Sequence, residues 1–342
     1  MQFLRENEIK EVDKTPRIIA GIPALVLAPM DGVTDAPMRA VMGESGAFRF
    51  AVSEFLRVSQ NVIPPKLYFR EVPELCHGSV TPSGLPVQVQ LLGGDAGRMA
   101  ESAAVACQCG ASAIDINFGC PAPTVNRHDG GASLLKSPQR IREIVAAVRG
   151  AVPAGIPVSA KLRLGWDTRD AIKENAAMAA EGGAAWITIH GRTRVQNYAP
   201  PVCWTSIGRA RAGLGVPVVA NGDIMTLDGF RQCREESGCE HFMLGRAALA
   251  NPPLAAQIAR ELGIPTATSA SEWDFLPDGS FDWVPLLRRL AAYSQFYGMI
   301  SPEGLLKRLK QWLKWASLYG EFRDFDAVKR AETLEELFAL TP

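Results

Sequence analysis

Apolar positions along this chain gather into short runs bounded by glycine and proline. Eight of them recur, at 24–28, 50–53, 87–92, 113–117, 158–164, 186–190, 218–221 and 241–244. Runs of this length, rich in β-branched residues and punctuated by turn formers, predict strands. Most of the intervals hold a segment with helical spacing, as at 97–109, 138–148, 170–182 and 227–236. Strand and helix alternating eight times predict an α/β chain folded as a (β/α)8 barrel, the TIM barrel. A doubly wound sheet is the alternative, and it announces a dinucleotide site with GxGxxG after its first strand. Neither that motif nor GxxxxGK[ST] occurs here.

The texture changes after about residue 265. A Thr/Ser/Ala stretch at 266–271 and Pro277-Asp278-Gly279-Ser280 read as a linker, and helical periodicity then runs from Trp283 to Leu340. The predicted division is an exposed N-terminal extension at 1–23, a barrel at 24–265 and an all-helical domain at 280–342.

The formal charge of the 342 residues is zero and the pI about 6.9, so a polyanionic partner must be held by a local basic face. The C-terminal segment supplies one. Between Leu286 and Arg330 stand nine Lys/Arg against four Asp/Glu, a local excess of +5. Within it Lys307, Arg308, Lys310 and Lys314 alternate with Trp312 and Trp315, the makeup of a surface that holds phosphates and stacks bases. Seven cysteines without a CxxC pair point to neither a disulfide framework nor a zinc site. No apolar run has the length of a signal peptide or membrane span, which places the protein in a reducing cytoplasm.

In a barrel, the polar groups at the C-terminal ends of the strands converge on one mouth. Here these are Pro29, Met30 and Asp31 after the first strand, Glu54 after the second, Gln90 in the third and Asn117 with Cys120 after the fourth. Lys161 and Arg163 lie in the fifth, His190 and Arg192 end the sixth, Asn221, Gly222 and Asp223 the seventh, and Gly245 and Arg246 the eighth. Loops after strands seven and eight commonly build a phosphate site from backbone N–H groups and a cation, so Gly222, Gly245 and Arg246 predict a phosphorylated cofactor. Lys161, His190 and Gln90 would surround its ring. A cation there stabilises a reduced flavin, one of the few electronic levers a protein has. Cys120, in the loop Asn117-Phe118-Gly119-Cys120-Pro121, puts a thiol at the same mouth.

Seven motifs in order, Ala-Pro-Met-Asp-Gly-Val at 28–33, Gln-Leu-Leu-Gly at 90–93, Asn-x-Gly-Cys-Pro at 117–121, Lys-x-Arg-x-Gly-Trp at 161–166, His-Gly-Arg-Thr at 190–193, Asn-Gly-Asp at 221–223 and Gly-Arg at 245–246, resemble the tRNA-dihydrouridine synthase family. The resemblance spans about 24–330. It implies an FMN barrel with a helical tRNA-binding domain that reduces uridine in tRNA at the expense of NADPH. By position, Pro29, Met30 and Asp31 resemble the segment along the flavin, and Gln90 and Lys161, with His190 beside them, resemble ring contacts. Asn221, Gly222, Asp223, Gly245 and Arg246 resemble the phosphate grip, Cys120 the proton donor, and Asn117 and Tyr198 residues that touch the flipped uridine or its neighbours. Glu54-Phe55-Leu56-Arg57-Val58 and Arg308-x-Lys310-Gln311-Trp312-Leu313 resemble the branch that modifies position 16 of the D-loop, with Arg57, Arg308, Lys310 and Arg330 as the tRNA-orienting set on the outer surface. One departure stands out: Asp129, beside Arg127 and His128, takes the first place of what is usually a run of three glycines.

The chemistry so implied is hydride addition at uridine C6 from reduced FMN and protonation at C5 by Cys120, a weak acid still protonated at neutral pH. With no dinucleotide fingerprint, NADPH binds loosely over the flavin and leaves before tRNA enters. The expected species is a monomer without metal. Two other readings have their own signatures. An FMN barrel acting on a small pyrimidine, like dihydroorotate dehydrogenase, has no use for a basic C-terminal domain, and a tRNA-binding barrel without chemistry has no use for Cys120 and Lys161.

Overall fold

The computed structural model describes residues 14–127, 129–266, 281–298 and 301–341. Eight parallel strands close a barrel in sequence order: β1 Ala24–Leu27, β2 Phe50–Arg57, β3 Val87–Leu92, β4 Ile114–Asn117, β5 Val158–Arg163, β6 Ile187–His190, β7 Val218–Asn221 and β8 His241–Leu244. Closure is made by β1 against β8, from Ala24 opposite His241 to Leu27 opposite Leu244. The alternation of each strand sorts its side chains between two cores. Leu25 and Leu27 join the large apolar layer between strands and helices, whereas Ala24, Val26 and Ala28 meet Phe50, Trp186, Val219 and Met243 in a separate cluster. Ile18 is buried in that second cluster, so the part of the extension from residue 14 is not all exposed as expected. Residues 1–13 lie outside the described ones.

The helices follow the predicted spacing. Pro138–Ala151 starts on a proline and buries Ile141, Ile144, Val145 and Val148, an i, i+3, i+4, i+7 stripe facing the barrel. Ala96–Gln108 and Leu227–Ser237 begin where the side chains of Asp95 and Thr226 accept from the N–H groups of Arg98 and Gly229. Strand β2 runs past the expected end at Ser53 to Arg57. Its register against β3 shifts between Val52 and Phe55, and this irregularity turns Phe55 into the barrel mouth.

The C-terminal segment forms helices Val284–Phe296, Pro302–Tyr319, Phe325–Val328 and Leu334–Leu340. Their apolar faces belong to the same continuous core as the barrel helices. Trp283 meets Trp312 and Phe322 edge-on, ring centroids 5.8 Å apart in each case. The Trp312 indole N–H donates to the carbonyl of Leu249 at 2.9 Å. The linker expected at 266–280 lies outside the described residues from 267 onward. No helix among the described residues is long and apolar enough to cross a membrane.

Candidate active site

The C-terminal ends of the strands surround a cavity of about 460 Å³. Every strand-end residue expected to hold the cofactor lines it: Pro29, Met30, Asp31, Gln90, Lys161, His190, Asn221, Gly222, Asp223, Gly245 and Arg246. Asn117, Cys120 and Tyr198 line it too.

Cys120 is half-buried and held by a local turn. The Asn117 side-chain oxygen accepts from the backbone N–H groups of Gly119 at 2.8 Å and Cys120 at 2.9 Å, an Asx-type arrangement that fixes the loop leaving β4. The Asn117 amide donates in turn to Gln90 at 2.8 Å, and Gln90 donates to Asp115 at 2.7 Å. Ser159 donates to the other oxygen of Asp115, and Gln88 donates to Ser159 at 2.9 Å. The thiol loop is therefore anchored through three links to a carboxylate fully inside the barrel. Asp115 and Ser159 were not singled out from the sequence, although a charge between Ile114 and Ile116 in a buried strand was the available signal. Asn117 spends both oxygen lone pairs and one N–H on this scaffold, leaving one donor for any other partner.

Burial pushes the Cys120 thiol above its ordinary range; the Ala122 N–H opposes the shift, Asp31 adds to it, and Arg163 and Arg57 oppose it. The thiol is protonated at neutral pH. Lys161, on the neighbouring strand β5, lies 3.3 Å from the Asn221 side-chain oxygen. Its ammonium is pulled down to about 8 by burial and by Arg163, with Asp115 and Cys120 opposing. His190 falls well below its usual value through burial and the charges of Arg163, Lys161, Arg192 and Arg246, so it is a neutral imidazole.

Arg163 was named at a strand end without a role. It is buried and donates to the carbonyls of Gly119 at 2.7 Å, Thr193 at 3.2 Å and Asn197 at 2.7 Å, tying the thiol loop to the loop after β6. Asp223 accepts from both Arg192 and Arg246. Burial alone would raise its carboxyl, but Arg192 and then Arg246 hold it below the usual range. A carboxylate so occupied aims the arginines rather than touching an anion itself. Arg246 also lies over the rings of Tyr198 and Tyr319, at 5.4 and 5.0 Å. Trp315 and Tyr319, one turn apart on the C-terminal helix, complete the cavity wall, so that helix enters the site itself.

The four residues expected to orient tRNA are placed differently from one another. Arg57 and Arg330 are exposed. Arg308 is not on the outer surface: it is 7% exposed, pairs with Asp35 at 3.0 Å and donates to the carbonyl of Val33. Lys310 donates to the carbonyls of Lys329 and Ala331. Both cations spend their donors holding the C-terminal helix, Arg308 to the loop after β1 and Lys310 to the chain beyond it. Trp312, expected among stacking aromatics, is core.

The residues present fit a flat, phosphate-bearing cofactor. Gly222 has φ +119, and a Cβ there would stand 2.7 Å from the His190 ring, so only glycine lets the backbone pass beneath the cavity. Arg246 beside Gly222 and Gly245 supplies a cation at one end, and Lys161, Gln90 and neutral His190 supply a cation and hydrogen-bonding groups along the wall. Among the described residues no cluster of His, Cys, Asp and Glu could hold a metal ion.

The profile of the family described as dihydrouridine synthase (Dus) matches residues 26–276. A tRNA-dihydrouridine(16) synthase of Pseudomonas putida is 44% identical over 289 residues, 84% of this chain and 86% of its own length. One from Aquipseudomonas alcaligenes is 42% identical over 326 residues, 93% of this chain and 99% of its own. One from Neisseria meningitidis serogroup B is 40% identical over 321 residues, 92% and 93%. A solved complex of 2-naphthoyl-CoA reductase with 2-naphthoyl-CoA aligns with 70% of this chain and 50% of that one, at 11% identity and a TM-score of 0.52, a likeness of fold alone. With the profile covering the barrel and relatives above 40% identity covering nearly the whole chain, this protein is an enzyme belonging to the dihydrouridine synthase family.

Proposed function

We propose that this enzyme reduces the C5=C6 bond of a tRNA uridine to 5,6-dihydrouridine, at position 16 of the D-loop, with FMN in the barrel mouth and NADPH as reductant. The observation that carries the reading is the convergence of Cys120, Lys161, neutral His190, Gly222 and Arg246 on one cavity. The choice of position rests on the relatives named above, which bear that position in their names.

Arg246 and the backbone at Gly222 and Gly245 would hold the FMN phosphate, and Lys161 and Gln90 the polar edge of the ring. A reduced flavin held there would supply the hydride that uridine C6 needs. Cys120 then gives its proton to C5; the negative charge that hydride addition places on the C4 oxygen and C5 is discharged by that transfer, and the thiolate regains a proton from solvent. The buried thiol suits the task because it stays protonated through neutrality. Asn117, through its remaining N–H, offers a donor to a uridine carbonyl. The target base must leave its stack to reach this depth, costing a few kcal/mol that contacts elsewhere on the tRNA offset. The enzyme is then a cytoplasmic monomer requiring no metal, with residues 24–265 carrying the chemistry and 280–342 contributing to tRNA binding.

The test is spectroscopic. The purified protein should carry about one FMN per chain, bleach with NADPH in the absence of air, and regain its colour on adding unmodified tRNA. Protein that neither contains nor takes up FMN would overturn the proposal.

A further inference from the structure

Asp129 has a left-handed backbone, φ +57, a conformation most side chains avoid and glycine adopts freely. Its carboxylate is ion-paired with Arg140 at 2.7 Å, from the helix Pro138–Ala151. The same guanidinium donates through Nη2 to the carbonyl of Gly94 at 2.8 Å, in the loop after β3. The two loops are in close contact there: a Cβ on Gly94 would stand 1.7 Å from the Asp129 carbonyl oxygen. Just beyond Asp129 the chain returns to the thiol, where the N–H of Ala132 donates to the carbonyl of Cys120 at 3.1 Å. Asn126, earlier in the loop, donates to that carbonyl at 3.2 Å. The two ends of the stretch from Cys120 to Ala132 are thus joined, and Asp129, just before its far end, is tied through Arg140 to the loop after β3.

We propose that Asp129 and Arg140 form a clamp that positions the Cys120 loop, so that a side chain at a glycine-favouring position trades backbone freedom for an anchor on two neighbouring elements. Asp129 and Arg140 touch neither thiol nor cavity; they are positioning residues, and the proposal rests on Cys120 being the proton donor. Glycine at 129 would keep the left-handed backbone and lose the anchor, whereas asparagine, the other residue tolerant of this conformation, keeps a hydrogen-bonding oxygen for Arg140.

The experiment compares Asp129→Gly, Arg140→Met, their combination and Asp129→Asn in the flavin-loaded enzyme. Two readouts are taken: the alkylation rate of Cys120 by iodoacetamide, followed on its own peptide, and single-turnover uridine reduction in tRNA. Each single variant should raise alkylation and slow reduction by roughly two- to fivefold, the scale of a solvent-screened ion pair. The combination should do no more than either, since both remove one clamp, and the asparagine variant should recover much of the loss. Rates within error of wild type in the glycine variant, or additive effects in the combination, overturn the clamp. Alkylation does not depend on the reaction. A clamp seen there without any uridine reduction by wild type would condemn the proposed function and leave the clamp standing.

Discussion

Cys120 and Lys161 line one cavity, the thiol shifted upward and the ammonium downward by burial, and that contrast can be tested residue by residue. Replacing Cys120 by Ala should leave flavin content and its reduction by NADPH intact while slowing dihydrouridine formation about 10²–10⁴-fold, the usual effect of losing a placed general acid. Wild-type rates in that variant would make the thiol structural. Lys161, pulled down to about 8, is cationic below that pH and neutral above it. Flavin-supported uridine reduction should therefore fall as pH rises through about 8, with a second limb higher where the raised Cys120 thiol ionises. Lys161→Arg should remove the first limb from the measured pH profile; a limb unmoved by that change belongs to another group. These residues were legible in the sequence because Cys120 follows the apolar run of β4 at a Gly/Pro break and Lys161 interrupts the apolar run of β5 with a charge. The role of Arg163, and Asp115 altogether, were not legible, since they depend on hydrogen bonds to partners 25 to 44 residues distant, set by barrel closure.

At the scale of elements, the helix Pro302–Tyr319 does two things at once. Its buried face sets Leu309, Trp312 and Arg308 against the outside of the barrel, Trp312 on the segment after β8 and Arg308 on the loop after β1, and Trp315 and Tyr319 reach the cavity. Asp35, the partner of Arg308, also caps the helix Ala36–Gly43 by accepting from the N–H of Met38. Arg308→Ala should therefore lower stability by about 1.5–3 kcal/mol, the range for hydrogen bonds to charged groups, seen as a lower melting temperature, with the salt dependence of tRNA binding unchanged. An unaltered melting temperature with weakened, less salt-dependent binding would return Arg308 to the tRNA surface. Helical spacing showed that this segment has faces, and strand spacing placed all eight strands to within a residue or two except at the far end of β2. Spacing alone does not say which helical face another element covers, and so the sequence assigned Arg308, Lys310 and Trp312 to solvent.

Taken as a whole, the molecule carries no net charge, yet exposed Lys307 and Lys314 remain on the helix Pro302–Tyr319 and exposed Arg323 and Arg330 on the segments that follow it, with Arg57 exposed at the end of β2. Removing Arg323 and Arg330 together should weaken tRNA binding and flatten its log–log salt slope by roughly one unit per lost phosphate contact, while NADPH oxidation by the flavin continues; an unchanged slope would mark this face as merely solvated. On the proposed function one flipped base enters the cavity, so the uridine chosen would depend on how the rest of the tRNA lies across this surface. The most direct test of that account is to incubate the flavin-loaded enzyme with NADPH and an unmodified tRNA transcript bearing uridines at several D-loop positions, and to map dihydrouridine nucleotide by nucleotide. Dihydrouridine at position 16 alone, absent with Cys120→Ala, is the predicted result; no dihydrouridine, or dihydrouridine at another position, would contradict it.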